Sequence, residues 1–161
     1  MSDMIKIAVD AMGGDNSPKK IIDGLIYNHK SNKDIFYKIF GNGTEIKPLI
    51  KDKIDEKYYE IVHTTNKVAS EDSPLEAAKK GKDTSMWLSI ESVKKKDCDI
   101  VISAGNTGAL LVIAKLNLKM IESIDKPALS ALWPNKNGMS VVLDLGANIE
   151  CSSKNLLDFS I

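Results

Sequence analysis

One arrangement recurs along this sequence and limits what it can fold into: a short apolar run of β type ends on a polar residue, a loop of small residues follows, and apolar residues then recur at helical spacing. The first instance is Met4–Asp10, a strand that stops at the glycine-rich stretch Asp10–Asn16. Ser17-Pro18 then supplies an N-cap and a first-turn proline for a helix carrying Ile21, Ile22, Leu25 and Ile26 to about Asn28. Asp34–Phe40 is a second strand, Gly41-Asn42-Gly43 a turn, and Thr44 to about Lys53 a short helix in which Pro48 lies early enough to be tolerated. Tyr58–His63 is a third strand, and Thr64–Asp72 is polar and irregular.

Ser73-Pro74-Leu75-Glu76 is the clearest helix start in the chain, with an N-cap serine, proline at N1 and glutamate at N3. Lys80–Asp83 breaks that helix, and Asp83 caps a new one over Thr84 to about Lys95. Cys98–Ser103 is a fourth strand, Ala104–Gly108 a second small-residue loop, and Ala109–Met120 a helix that is apolar on nearly every side up to Ala114, which predicts a central, buried position. Ala128–Trp133 and Met139–Leu145 are two more strands around the turn Pro134–Gly138, and Ser153–Phe159 begins a further capped helix. Strands alternating with helices predict an α/β fold: helices layered on a mostly parallel or mixed sheet, with ligands beyond the carboxyl ends of the strands. At 161 residues, 43% of them apolar, the chain suits one such domain rather than two.

The 22 acidic residues balance 22 basic ones, so no global field favours nucleic acid or an anionic membrane. All the basic residues are lysines. Any phosphate must then be held by lysine, hydroxyls, backbone N–H groups and helix N-termini, without the guanidinium fork. The same lysine, asparagine and isoleucine bias is what an AT-rich genome produces. Cys98 and Cys151 lie far apart without metal-ligand spacing and read as reduced, partly buried thiols. Met1–Asp10 lacks the features of a signal peptide, and no apolar run approaches a membrane span, which predicts a cytoplasmic protein.

Three loops share the chemistry-bearing recipe: Asp10-Ala-Met-Gly-Gly-Asp-Asn16, Ser103-Ala-Gly-Asn-Thr-Gly108 and Asp144-Leu-Gly-Ala-Asn148. Glycine permits positive φ and close backbone approach, so successive N–H groups can converge on an anion before a helix dipole. Phosphate suits that geometry best, although each loop taken alone is equally a tight strand-to-helix turn. Gly41-x-Gly43 has Ile46 at the third position of a dinucleotide fingerprint, and Gly105-x-x-Gly108 lacks the Lys-Ser/Thr of a P-loop. His63 ends a strand where catalysts often stand, whereas His29 ends a helix as a favourable charge. Lys82, Asp83 and Ser85 precede a helix and offer a cation and a hydroxyl; Trp87 and Trp133 read as packing.

In this order and spacing the three loops resemble the signature stretches of the bacterial acyl carrier protein-phosphate acyltransferases of phospholipid synthesis. Ile61-Val62-His63, Asp72-Ser73-Pro74 and Lys82-Asp83-Thr84-Ser85-Met86 are similar to further blocks of that family, and the resemblance covers essentially the whole chain. It implies a three-layer α/β/α fold like that of isocitrate and isopropylmalate dehydrogenases, a homodimer peripheral to the cytoplasmic membrane, and proteins about twice this length. On that reading the chain is the amino-terminal portion of a domain and is poorly soluble or oligomeric alone.

The resemblance further implies acyl transfer from acyl carrier protein to inorganic phosphate without cofactor or metal, upstream of a glycerol-3-phosphate acyltransferase. Gly13, Gly14, Asn16, Gly105, Asn106, Thr107 and Gly108 would cradle phosphate or the oxyanion. Asp10, Asp15 and Asp144 would position donors, with Asn106, Thr107, Asp10 and His63 forming the catalytic group. Lys82, Ser85, Ser103, Gly146 and Asn148 would complete the substrate-binding set. A phosphate acetyltransferase, a dehydrogenase on the same scaffold and a non-catalytic remnant that binds phosphate are the alternatives.

Overall fold

The computed structural model describes residues 4–148 and 150–161; expectations for Met1–Asp3 lie outside the described residues. The chain divides into two compact units, residues 1–118 and 119–161. In the first, β1 (Ile5–Asp10), β2 (Ile35–Gly41), β3 (Tyr59–His63) and β4 (Ile100–Ser103) form one parallel sheet in the order β3-β2-β1-β4. Parallel neighbours require crossovers: α1 (Lys19–Ser31) lies between β1 and β2, α2 (Gly43–Ile50) between β2 and β3, and α3 (Pro74–Lys79) with α4 (Ser85–Lys94) between β3 and β4, while α5 (Thr107–Leu118) follows β4. The register sets Asp10 beside Phe40 and Ser103, and Gly41 beside His63, so all four strands finish at one edge.

Alternation along the strands separates two faces, as the period of 2 demands. Ile7, Val9, Tyr37 and Ile39 bury themselves with Ile22 and Leu25 of α1 and Ile46 and Ile50 of α2. Ala8 and Phe40 point the other way, where Val62, Val101 and Leu88 of α4 close around them. Behind α4, Met86, Trp87 and Ile90 pack with Ala77 of α3 and Ala109 and Ile113 of α5. The result is an α/β unit with helices on both sheet faces. Ile100 and Ile102 of β4 share the face of Ile7 and Val9 by register, yet are 51% and 46% exposed because the α1–α2 layer stops short of them.

Several local expectations change. Ser17 does not cap α1; its hydroxyl donates back to the Gly13 and Gly14 carbonyls, and Pro18 takes the cap position. Thr84, rather than Asp83, caps α4, its hydroxyl accepting from the Trp87 N–H, while Asp83 accepts from the Asn66 amide. The capping box at Ser73 and Glu76 forms in full. Helix α5 is only half buried: Ala109, Ile113 and Asn117 face inward while Leu116 and Leu118 stand in the open. Trp87 is buried as expected, whereas Trp133 is 59% exposed; Cys98 is buried and Cys151 exposed.

His29 overturns its expectation as a charged helix end. It is 4% exposed, tilted against Tyr58 at 4.7 Å between ring centroids, with Tyr37 edge-on at 6.3 Å. Burial, aided by the charge of Lys33, lowers its pKa, and Nδ1 has no hydrogen-bond partner, so the ring is neutral. Because the unfolded chain takes up that proton more readily, His29 makes the fold lose stability as pH drops below about 6.5. Thermal unfolding between pH 7 and 5 should show a falling midpoint whose slope becomes shallower in His29→Phe; an unchanged slope would contradict this assignment.

In the second unit, β5 (Ser130–Asn135) and β6 (Gly138–Leu143) make an antiparallel hairpin turned by Lys136-Asn137, and Gly138 takes the positive φ of 138° at its exit. Helix α6 (Ser153–Asp158) begins at a capping box of Ser152 and Asn155. The pairing Leu132↔Val141 and Pro134↔Met139 gathers apolar side chains on one hairpin face, with Leu132 and Val141 each 66% exposed. Among the described residues no helix is long and apolar enough to cross a membrane.

Candidate functional site

The shared strand edge of residues 1–118 carries the chemistry. Asp10, the last residue of β1, is 1% exposed on the α4 face of the sheet. Its Oδ1 accepts from the Ser85 hydroxyl at 2.6 Å and the Met12 N–H at 3.2 Å, and its Oδ2 accepts from the Ser103 hydroxyl at 2.7 Å. Ser103 Oγ in turn accepts from the Gly105 N–H at 3.1 Å. The hydroxyls of Ser85 and Ser103, expected on phosphate, are thus directed at a carboxylate inside the protein.

The loops after β1 and β4 are pressed together, which is why both are built from glycine. A Cβ on Gly13 would lie 2.8 Å from the Gly105 nitrogen and 2.6 Å from Asp10 Oδ2. Gly14, at φ +83°, would place one 2.4 Å from the Ala104 carbonyl oxygen. Side chains are excluded there, so the backbone itself forms the surface. Asn16 also adopts positive φ, at 59°, its carbonyl accepting from the Lys20 N–H at the start of α1.

Beyond the paired loops opens a recess of about 390 Å³ lined by Gly14, Asp15, Ser70 and residues 104–108. It lies at the start of α5, where Thr107 and Gly108 occupy the first turn and their N–H groups have no partner within the helix. Asn106, expected to touch phosphate, caps this helix instead: Oδ1 accepts from the Ala109 N–H at 3.0 Å, and Nδ2 donates to the Ser70 and Asp72 carbonyls at 3.0 and 2.9 Å. It thereby draws the irregular 64–72 stretch against the loop. Asp72 fixes the same stretch, accepting from Lys80 and the Ala69 N–H, which lower its pKa. Ser70 carries no motif, and only the length of that irregular stretch hinted that it mattered.

Other expected residues stand apart. His63 ends β3, two strands from Asp10, and is exposed; its Nδ1 accepts from the Gly43 N–H at 3.0 Å. Lys82 is exposed, its ammonium 6.0 Å from the Trp87 ring centroid. Asp144, Gly146 and Asn148 belong to residues 119–161. There Asp144 Oδ1 accepts from the Asn148 N–H and side-chain amide, and the Asp144 carbonyl accepts from the Gly146 N–H at 2.8 Å, with Asp144 and Gly146 at φ 56° and 77°. This loop is held by these bonds and by donation from the Asn148 amide and the Leu145 N–H to the Pro127 and Leu129 carbonyls. Cys151 donates to Asp144 Oδ2 at 3.5 Å, and partial desolvation together with that carboxylate raises its thiol pKa.

What the first unit offers is a concavity before a helix, bordered by the backbone of two glycine loops and by Asp15 and Ser70, with the Asp10 carboxylate behind it. That arrangement stabilises added negative charge on oxygen. Comparison with known proteins places the chain in a family. The model of a family described as fatty acid synthesis protein matches residues 5–161. Phosphate acyltransferase of Pelagibacter ubique is 70% identical over 161 residues, the whole of this chain and 48% of that protein. Phosphate acyltransferase of Rhodospirillum rubrum is 44% identical over 162 residues, again the whole chain and 46% of the relative. That of Parvibaculum lavamentivorans is 41% identical over 158 residues, 97% of this chain and 44% of the relative. The chain spans about half the length of the curated relatives it matches. With a family match over nearly its whole length, the chain belongs to the fatty acid synthesis protein family, the family the three loops resemble.

Proposed function

We propose that this chain supplies the phosphate-binding wall of an enzyme that transfers a fatty acyl group from acyl carrier protein to inorganic phosphate, giving acyl phosphate and free carrier thiol. The recess before α5, lined by Gly14, Asp15, Ser70 and residues 104–108, is the observation that carries this reading. A phosphate oxygen attacks the thioester carbonyl, the carbonyl electrons move onto oxygen, and their return breaks the C–S bond and expels the thiolate. Phosphate is nucleophilic enough, and a thiol of pKa about 8.5 leaves readily, so neither a strong base nor an acyl-enzyme is required. Orientation and oxyanion stabilisation are the protein's tasks, and backbone N–H groups of a first helical turn perform both. The Asp10 carboxylate is bonded to donors of the chain itself and is not among the residues that line the recess.

Residues 1–161 count as one incomplete α/β domain in this reading. The uncovered apolar face of β4, an edge strand, supports a larger sheet of the isocitrate and isopropylmalate dehydrogenase type, continued by the second half of the relatives' length. The complete enzyme is a homodimer at the cytoplasmic membrane surface that passes acyl phosphate to a glycerol-3-phosphate acyltransferase. The deciding assay follows release of free carrier-protein thiol against phosphate concentration, by this chain alone and completed with the second half of the Pelagibacter ubique relative. Release that depends on phosphate supports the proposal. Thiol release indifferent to phosphate in the completed form would refute it.

A further inference from the structure

We infer that the buried Asp10 carboxylate is a positioning residue for the anion cradle, acting through Ser103 and Ser85 on the backbone of the two glycine loops. This rests on the proposed phosphate site but names groups that never touch phosphate. Three donors from three parts of the chain converge on one carboxylate: Met12 in the first loop, Ser85 at the start of α4, and Ser103 at the end of β4. The two serines lie 75 and 93 residues from Asp10, so the carboxylate ties together elements that the chain does not join locally.

The direction of each bond matters. Ser103 has one hydroxyl proton, and by giving it to Asp10 it turns a lone pair toward the Gly105 N–H. A carboxylate, which only accepts, therefore dictates which way the second loop's peptide points. Gly105 packs against Gly13, and the carbonyl of Ala104 lies where Gly14 admits no side chain, so rotating one loop displaces the other. The Gly105 peptide is followed directly by the Asn106 cap and the first turn of α5. Orientation thus passes from Asp10 to Ser103, to Gly105, and to the N–H groups that line the recess.

Asp10→Asn tests the direction with little change of shape. It replaces one acceptor oxygen by a donor, leaving two serine hydroxyls and the Met12 N–H with a single acceptor atom. Ser103→Ala removes the relay, while Ser103→Thr keeps the hydroxyl. In the completed enzyme, Asp10→Asn and Ser103→Ala should each raise the KM for phosphate by about tenfold or more, the loss expected for a hydrogen bond to a charged group. The KM for the acyl carrier thioester should stay within about twofold, and Ser103→Thr should restore phosphate affinity. Equal change in both KM values, or no rescue by threonine, would overturn the inference.

A second measurement keeps it separate from the functional reading. Hydrogen exchange at the Gly105 amide, followed by NMR in this chain, should be slow and should accelerate in Ser103→Ala and Asp10→Asn but not in Ser103→Thr. Unchanged Gly105 exchange in all three would sink the positioning role even if the enzyme turns over. Accelerated exchange in an enzyme indifferent to phosphate would remove the proposed function and leave the wiring intact.

Discussion

Replacing Gly14 by alanine should abolish the cradle and destabilise residues 1–118 together. The new Cβ would meet the Ala104 carbonyl oxygen at 2.4 Å, and both partners are backbone, so neither can swing aside. The φ of +83° adds the cost of a left-handed conformation, about 1–2 kcal/mol, to an overpacking cost of about 1–3 kcal/mol, or about 2–5 kcal/mol in all. Separation of the two loops should also lower phosphate-dependent turnover of the completed enzyme by about a hundredfold, the scale of a lost oxyanion donor. Gly24→Ala is the control. That glycine lies inside α1 with nothing within 4 Å of its would-be Cβ, so alanine there should stabilise the helix by about 0.5–1 kcal/mol. Opposite shifts in the denaturation midpoint are expected from the same chemical change, and equal shifts would refute the account of the loop.

The second large effect concerns residues 119–161. Leu132, Val141 and Met139 are 66%, 66% and 58% exposed on one face of a two-stranded hairpin, which has no intrinsic stability to spare. Each such side chain gains about 1.5–3 kcal/mol on full burial, enough in combination to drive association. This chain by itself should therefore sediment above monomer mass at micromolar concentration. The paired double substitution Leu132→Lys with Val141→Glu removes the two most exposed members and sets opposite charges across the strands, and it should return the chain toward monomer. A compact monomer of the unaltered chain would overturn the prediction.

Much of the strand–loop–helix succession is legible locally. Periodicity marks β1 to β4 within one or two residues, and the serine, proline and glutamate at 73, 74 and 76 announce a helix that forms with the full capping box. Where local reading fails, a competing partner explains the failure. Ser17 has the right residue type for a cap but finds the Gly13 and Gly14 carbonyls instead. Asn106 looks like a ligand because it sits among glycines, yet its amide is taken by two carbonyls more than thirty residues away. His29 reads as a helix-end charge until two tyrosines close over it.

The α/β class, the glycine loops at strand ends and the absence of a guanidinium for phosphate follow from the order of the residues, because periodicity, glycine φ and composition are properties of neighbouring residues or of the chain as a whole. The assembled fold is what joins β4 to β1 rather than β3 and so sets the loops of residues 13–14 and 104–105 against each other. It alone turned Ser85 and Ser103 from expected phosphate ligands into donors to Asp10. Such pairings join residues far apart in the chain, and their geometry follows from sheet order and packing, which no local pattern encodes.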